Sequence, residues 1–252
     1  MFFGSKKRAY LFFLLIFGLP CKAVEPIKQL KVGLLIVATG KYIQFVEPLI
    51  ESADKYFCTN HDVTYFVFTE GDVPKRDDVI KIQQHRLGWP HDTMMRPVMY
   101  YECRDILSSM DYLFACDADM LFVGDVGDEI LSDLVGALHP GYFGSKGTPE
   151  YRRASTAYIP RRRNKYYFAG GFNGGKTEHF IKMVGVMTKN ILKDLERGII
   201  ALWHDESHLN KYFFEHSPTK ILTPSYCYAE QHPHKIPKKL IALDKNHSEL
   251  RK

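Results

Sequence analysis

Two aspartates one residue apart, Asp117 and Asp119, stand inside an otherwise apolar wall. Tyr112 to Cys116 is unbroken apolar sequence before them, and Met120-Leu121-Phe122 follows. An ionised carboxylate in such a setting needs a counter-charge, because burying it unpaired is costly. Paired oxygen ligands suit Mn²⁺ or Mg²⁺, which are commonly held by one or two carboxylates together with substrate phosphates. A chance D-x-D in a surface turn would account for the pair but not for its hydrophobic flanks.

A second constellation is Trp203-His204-Asp205-Glu206-Ser207-His208-Leu209-Asn210, running into the aromatic helical stretch Lys211-Tyr212-Phe213-Phe214. Asp205 or Ser207 could cap that helix, yet capping cannot employ every polar side chain present. His204 and His208 are four residues apart, as in H-E-x-x-H zinc hydrolases. The acid falls two residues after the first histidine instead of one, so it would miss the metal's water, and a zinc hydrolase fails on spacing. A carboxylate flanked by histidine and tryptophan suits general acid/base work or charge stabilisation in sugar chemistry.

Both constellations need elements to position them. Lys31 to Thr39 is a near-continuous apolar run and predicts a buried parallel strand. Ile43 to Phe57 has apolar residues at fourfold spacing, a helix despite Pro48. Asp62 to Thr69 and Val79 to Gln83 predict strands. Met95 to Ser108 predicts a helix with Pro97 in its first turn. Asp117 and Asp119 then fall at the tip of the next strand, where open α/β sheets bind ligands. Beyond them, Asp128 to Val135 reads as a short helix weakened by Gly136. Residues 144–165 are polar and turn-rich, with Arg152-Arg153 and Arg161-Arg162-Arg163, and read as a solvated loop or as a flap closing over a diphosphate. Four glycines within Tyr166 to Gly175 require the backbone to approach another strand or a ligand closely. Thr177 to Arg197 carries the clearest helical stripe, capped by Thr177 and ended by Gly198. The alternation predicts a mixed sheet with helices on its faces.

The 252-residue chain carries 34 Lys and Arg against 29 Asp and Glu, a net charge of +5. That mild basicity suits an anionic substrate or a membrane surface and is too weak to argue nucleic acid. The 5 cysteines show no C-x-x-C spacing, so neither a zinc site nor a redox pair is indicated. At the amino terminus, Lys6-Lys7-Arg8 precede an apolar run from Ala9 to Leu19, and Ala23 offers a cleavage residue. Residues 1–25 are expected to form a signal peptide or short signal-anchor, with residues 26–252 as one catalytic domain.

With these motifs in order, the sequence resembles glycosyltransferase family 6, the family of the blood-group A and B transferases and α-1,3-galactosyltransferase. The resemblance spans Val32 to Arg251 and rests on Asp117-Ala118-Asp119 and on the run Trp203 to Tyr212, with Pro218-Thr219-Lys220 and Lys245-Asn246-His247 in support. It implies a GT-A type α/β fold, a mixed central sheet flanked by helices, with a nucleotide-binding half and an acceptor-binding half. It implies transfer of GalNAc or Gal from UDP, with retention, to the 3-hydroxyl of a galactoside that can be fucosylated. Asp117 and Asp119 match metal-holding positions, for Mn²⁺ or alternatively Mg²⁺. Val37, Ala38, Thr39 and Tyr42 match uridine-binding positions; Arg96, Ala118 and Asp205 lie on the donor side, and Lys245 and Arg251 match tail residues that close on the diphosphate. Glu206 matches the carboxylate facing the anomeric centre, where it stabilises positive charge or forms a covalent adduct. His139 and Trp203, with Glu206, match acceptor-binding positions.

Ala169, Gly170 and Gly171 match the positions that sort Gal from GalNAc, and their small size implies room for an N-acetyl group. Asn173 departs from the family's apolar residue, and the Trp-Asp pair expected near Tyr226-Cys227-Tyr228-Ala229 is absent, so the acceptor stays open. The resemblance also implies the secretory pathway, in a Golgi-like membrane or lumen or exported. A carbohydrate-binding relative with weak catalysis is the alternative; the intact Asp117, Asp119 and Glu206 argue against it.

Overall fold

The computed structural model describes Met1, residues 29–231 and residues 236–250. Residues 2–25 of the expected signal segment, and Arg251, lie outside the described residues.

The chain starts a parallel sheet with β1 (Lys31–Val37), whose interior is wholly buried. A 3-10 turn over Gly40–Phe45 leads into α1 (Val46–Tyr56), so the predicted helix begins later than its apolar spacing suggested. β2 (Asp62–Thr69) and β3 (Val79–Gln83) follow at the predicted bounds. A short α2 (His91–Met94) precedes α3 (Arg96–Glu102) and α4 (Arg104–Leu107). The single helix expected over 95–108 is therefore broken at Cys103, while Pro97 does occupy its first turn. β4 (Tyr112–Asp117) then carries the first aspartate, and β5 (Met120–Phe122) turns away from it.

Asp128 to Val135 corrects the sequence expectation. Only Asp128–Ile130 makes a 3-10 turn, and Val135 opens β6 (Val135–Leu138). Pairing on both sides, with β7 (Phe168–Lys176) and β8 (Lys220–Leu222), satisfies backbone groups that a helix there would have satisfied alone. β7 is the glycine-rich stretch. A Cβ on Gly174 would lie 2.3 Å from the Leu113 carbonyl of β4, and one on Gly175 would lie 2.3 Å from the Asp133 carbonyl. Those two glycines admit neighbouring backbone.

α5 (Thr177–Glu196) packs Phe180, Met183, Val184, Met187 and Ile191 into the core. Thr177 is its first residue and not its cap; the Thr177 hydroxyl donates to the Met110 carbonyl. α6 (His204–Glu215) follows, then β9 (Tyr228–Ala229), β10 (Leu240–Ala242) and α7 (His247–Leu250).

The large sheet runs β3-β2-β1-β4-β7-β6-β8, and the small one β5-β10-β9. The first four strands are parallel, and β7 is antiparallel to both neighbours. One core face packs α1 and the small sheet; the other packs α3, α5 and α6. This is a mixed α/β sheet flanked by helices, consistent with the GT-A-like fold. After β1 the chain builds outward through β2 and β3, then returns to place β4 on the opposite side of β1. Such a reversal opens a crevice at the carboxyl ends of the two strands.

Candidate active site

Val37 and Asp117 are register partners at the ends of β1 and β4, so the crevice opens between them. A cleft of about 220 Å³ lies there. Among the residues proposed from sequence, Val37, Thr39, Tyr42, Arg96, Ala118 and Lys245 line it together with both aspartates. Ala38 does not: its side chain is fully buried, and its carbonyl accepts the Thr69 hydroxyl. Sequence reasoning missed other wall residues, notably Trp89 and Asp92. Asp92 accepts from the Thr39 hydroxyl at 3.2 Å and from the Leu87 amide at 2.7 Å, tying the loop before α2 to the end of β1.

Each metal-candidate carboxylate meets a cation. Asp117 pairs with Arg96, which also holds Asp205 through Nε at 2.8 Å and Nη2 at 2.7 Å. One guanidinium thus ties the tip of β4 to the first turn of α6. Burial works against the charge on Arg96, but Asp117 and Asp205 outweigh it and raise its pKa well above the ordinary value. Asp119 pairs with Lys245, carried there by the chain leaving β10. The Leu243 amide donates to the Asp119 carbonyl at 2.9 Å, so the tail is fixed to the same turn by backbone as well.

Glu206 lies one residue beyond Asp205, and its two oxygens are held from different sides. Tyr167 donates its hydroxyl to Oε1 at 2.8 Å, and the Gly170 amide donates to Oε2 at 2.8 Å. Burial pushes the Glu206 carboxyl up to about 7, and these two donors limit the rise by favouring the ionised form. Asp205 is pushed up to about 6 by burial, with Arg96 pulling the other way. Neither Asp205 nor Ser207 caps α6 as expected, because the helix starts at His204. The Ser207 hydroxyl instead accepts from the Trp203 amide at 2.9 Å.

β7 passes directly beneath. A Cβ on Gly170 would lie 3.3 Å from Glu206 Cβ, and one on Gly171 would lie 3.2 Å from Asp117 Oδ2. Gly170 therefore abuts Glu206, and Gly171 abuts Asp117 together with the core residues Cys227 and Met120, whereas the Ala169 side chain is buried in the core. Asn173 donates to the Gly170 carbonyl at 3.2 Å, which gives a polar use to the departure noted in the sequence. Asn210 clamps the strand further: it exchanges hydrogen bonds with both backbone groups of Phe168 at 2.8 Å and donates to the Glu206 carbonyl at 2.9 Å. Its place in the polar run before an aromatic helix was the only signal for it.

On the far side of Glu206, Tyr167 packs edge-on to His139 and Tyr142. Tyr142 and Trp203 both reach the Thr148 hydroxyl, at 2.9 Å each. His139, Trp203 and Glu206 are thereby brought to one region. Burial lowers the His139 pKa to about 4, leaving a neutral ring whose Nδ1 accepts from the Gly141 amide. The arginine-rich segment 144–165 belongs to this side: no residue of it lines the cleft at Asp117. Glu150 accepts from the Leu202 amide, and Asp194 accepts from the Ser155 hydroxyl and the Thr156 amide.

Comparison with known proteins decides the family. Residues 23–252 match the family model for glycosyltransferase family 6. The chain belongs to that family. This glycosyltransferase is 38% identical over 238 residues to histo-blood group ABO system transferase 1 of Rattus norvegicus, covering 87% of the chain and 68% of the relative. It is 34% identical to globoside alpha-1,3-N-acetylgalactosaminyltransferase 1 of Gallus gallus, covering 88% and 70%. It is 29% identical to the O-antigen biosynthesis glycosyltransferase WbnI of Escherichia coli, covering 85% of the chain and 94% of that protein. Among the described residues of the glycosyltransferase, no helix is long and apolar enough to cross a membrane.

Proposed function

We propose that the enzyme transfers GalNAc from UDP-GalNAc, in preference to Gal from UDP-Gal, to the 3-hydroxyl of a galactose-terminated glycan, fucosylated or plain, with retention at the anomeric carbon. The observation that carries this is the Glu206 carboxylate, held by Tyr167 and Gly170 between an Arg96-bridged aspartate pair and an aromatic recess.

Uracil and ribose enter the cleft between Val37, Thr39 and Tyr42, and the diphosphate lies towards Asp117, Asp119 and Lys245. No cluster of three or more His, Cys, Asp or Glu able to hold a metal gathers among the described residues. Two carboxylates on one cleft wall still fit a hard cation whose remaining ligands are phosphate oxygens and water. Asp117 and Asp119 would hold Mn²⁺ or Mg²⁺, which supplies charge neutralisation at the leaving diphosphate. Lys245 adds positive charge at the same place, and Arg251 is assigned to the diphosphate from the sequence alone. Asp205, fixed by Arg96, accepts hydroxyls of the donor sugar. Glu206 faces the anomeric carbon and, once ionised, stabilises the positive charge that develops there or attacks it directly. His139 and Trp203 orient the acceptor galactose, Trp203 through its apolar face. The preference for GalNAc rests on the match of Ala169, Gly170 and Gly171 to the positions that sort Gal from GalNAc; at both glycines even a Cβ would touch Glu206 or Asp117, so a larger side chain there would press on the carboxylates.

The test is hydrolysis and transfer with both donors, with and without Mn²⁺, on plain and fucosylated galactosides. Preference for UDP-GalNAc with loss of activity on metal removal is expected; preference for UDP-Gal overturns the donor assignment. Lys6-Lys7-Arg8 ahead of the apolar run from Ala9 to Leu19 support routing of the enzyme into the secretory pathway.

A further inference from the structure

Residues 142–166 carry seven cationic side chains against one carboxylate, Glu150. Glu150 is 2% exposed and turned inward onto Arg152 and the Leu202 amide, so it offers the surface no negative charge. Lys146, Arg153, Arg161, Arg162, Arg163 and Lys165 are exposed. Among the described residues none of these six pairs with a carboxylate. Three lie over exposed or half-buried rings instead: Arg153 over Tyr158, Arg161 over Tyr151 and Lys165 over Tyr166.

Exposed apolar side chains adjoin them. Phe143, Leu202, Trp89 and Trp203 are 50%, 48%, 45% and 43% exposed. Contacts tie the basic loop to the segment before α6 that carries Leu202 and Trp203. Trp203 and Tyr142 share Thr148, Arg152 reaches the Ile200 carbonyl at 2.6 Å, and Lys146 reaches the Arg162 carbonyl at 2.9 Å. Trp89, which also lines the cleft at Asp117, stands edge-on to His204 at 4.6 Å and so borders the collar at the start of α6. Basic side chains interleaved with indoles, phenyl and aliphatic groups fit the bilayer interface, where anionic headgroups meet acyl chains. A soluble polyanion would use the cations and leave the apolar groups idle.

We propose that this collar docks on an anionic phospholipid surface.

Of the chain's 2 tryptophans, Trp203 sits in the collar and Trp89 at its border with the cleft, so the emission reports on docking. The full chain is mixed with vesicles of phosphatidylcholine brominated in its acyl chains, with or without a quarter of phosphatidylglycerol. Quenching and a blue shift of the emission are expected on the anionic vesicles, weakening as salt screens the contact. Arg161→Gln, Arg162→Gln and Arg163→Gln together should lower the partition by about 100-fold at low salt. The triple variant should hydrolyse UDP-GalNAc normally without vesicles, which shows that it folds and separates docking from the transfer reading. Co-sedimentation without quenching would mean that another segment makes the contact, and would overturn the proposal. Quenching equal on neutral and anionic vesicles, or unchanged in the triple variant, would also overturn it. So would heparin binding lost in the variant with no quenching by any vesicle, which would mark a polyanion face.

Discussion

At the scale of single residues, the decisive feature is how Glu206 is kept close to neutrality and yet ionisable. Burial raises its pKa to about 7, while Tyr167 and the Gly170 amide stabilise the charged form. If Glu206 acts as a carboxylate, activity should rise with pH through about 7. Tyr167→Phe removes one donor to the ionised form and should move that acid limb upward by about 1 pH unit, read from kcat/KM profiles. The same shift has a stability sign. Its folded-state value lies above the ordinary 4.5, so the native state retains a proton that the unfolded chain releases. Stability therefore falls as pH rises from about 4.5 to about 7, by an amount on the order of 3 kcal/mol from this group. Glu206→Gln should abolish transfer and flatten that slope, measured as urea midpoints at the two ends of the window.

At the scale of elements, the candidate active site is a junction of three pieces: the tip of β4, the middle of β7 and the first turn of α6. Arg96 from α3 bridges the first and third, and Asn210 locks the second to the third. The segment after β10 closes the junction by placing Lys245 against Asp119, whose side chain is 5% exposed. Lys245→Ala leaves that carboxylate buried without its ammonium partner, which should cost about 3 kcal/mol. For a chain of this size the melting temperature should drop by roughly 6–12 °C. Added Mn²⁺ should then recover more of the melting temperature in the variant than in the parent protein, by differential scanning fluorimetry. An equal Mn²⁺ response in both proteins would count against Asp119 as a ligand.

At the scale of the molecule, the cleft draws on β1, β4, the loop before α2 and the carboxyl-terminal segment, so a bound nucleotide should tighten distant parts together. UDP with Mn²⁺ at a hundredfold excess over Kd should stabilise the fold by about 2.7 kcal/mol, whereas UDP after chelation should give a smaller shift. What the sequence determined by itself was local: the parallel strands, the α5 stripe, the acid pair at a strand tip and the polar run ahead of α6. Each of these is written in the periodicity or polarity of neighbouring residues. Tertiary structure alone decided that Val135 to Leu138 is a strand, because two neighbouring strands supply its hydrogen bonds. It also decided which cation meets which acid, since Arg96 and Asp205 are separated by 109 positions and no local pattern records their meeting. Burial works in the same way: Ala38 and Ala169 turn into the core while Gly170 faces Glu206, and the carboxylates change character with the water that the fold removes from around them.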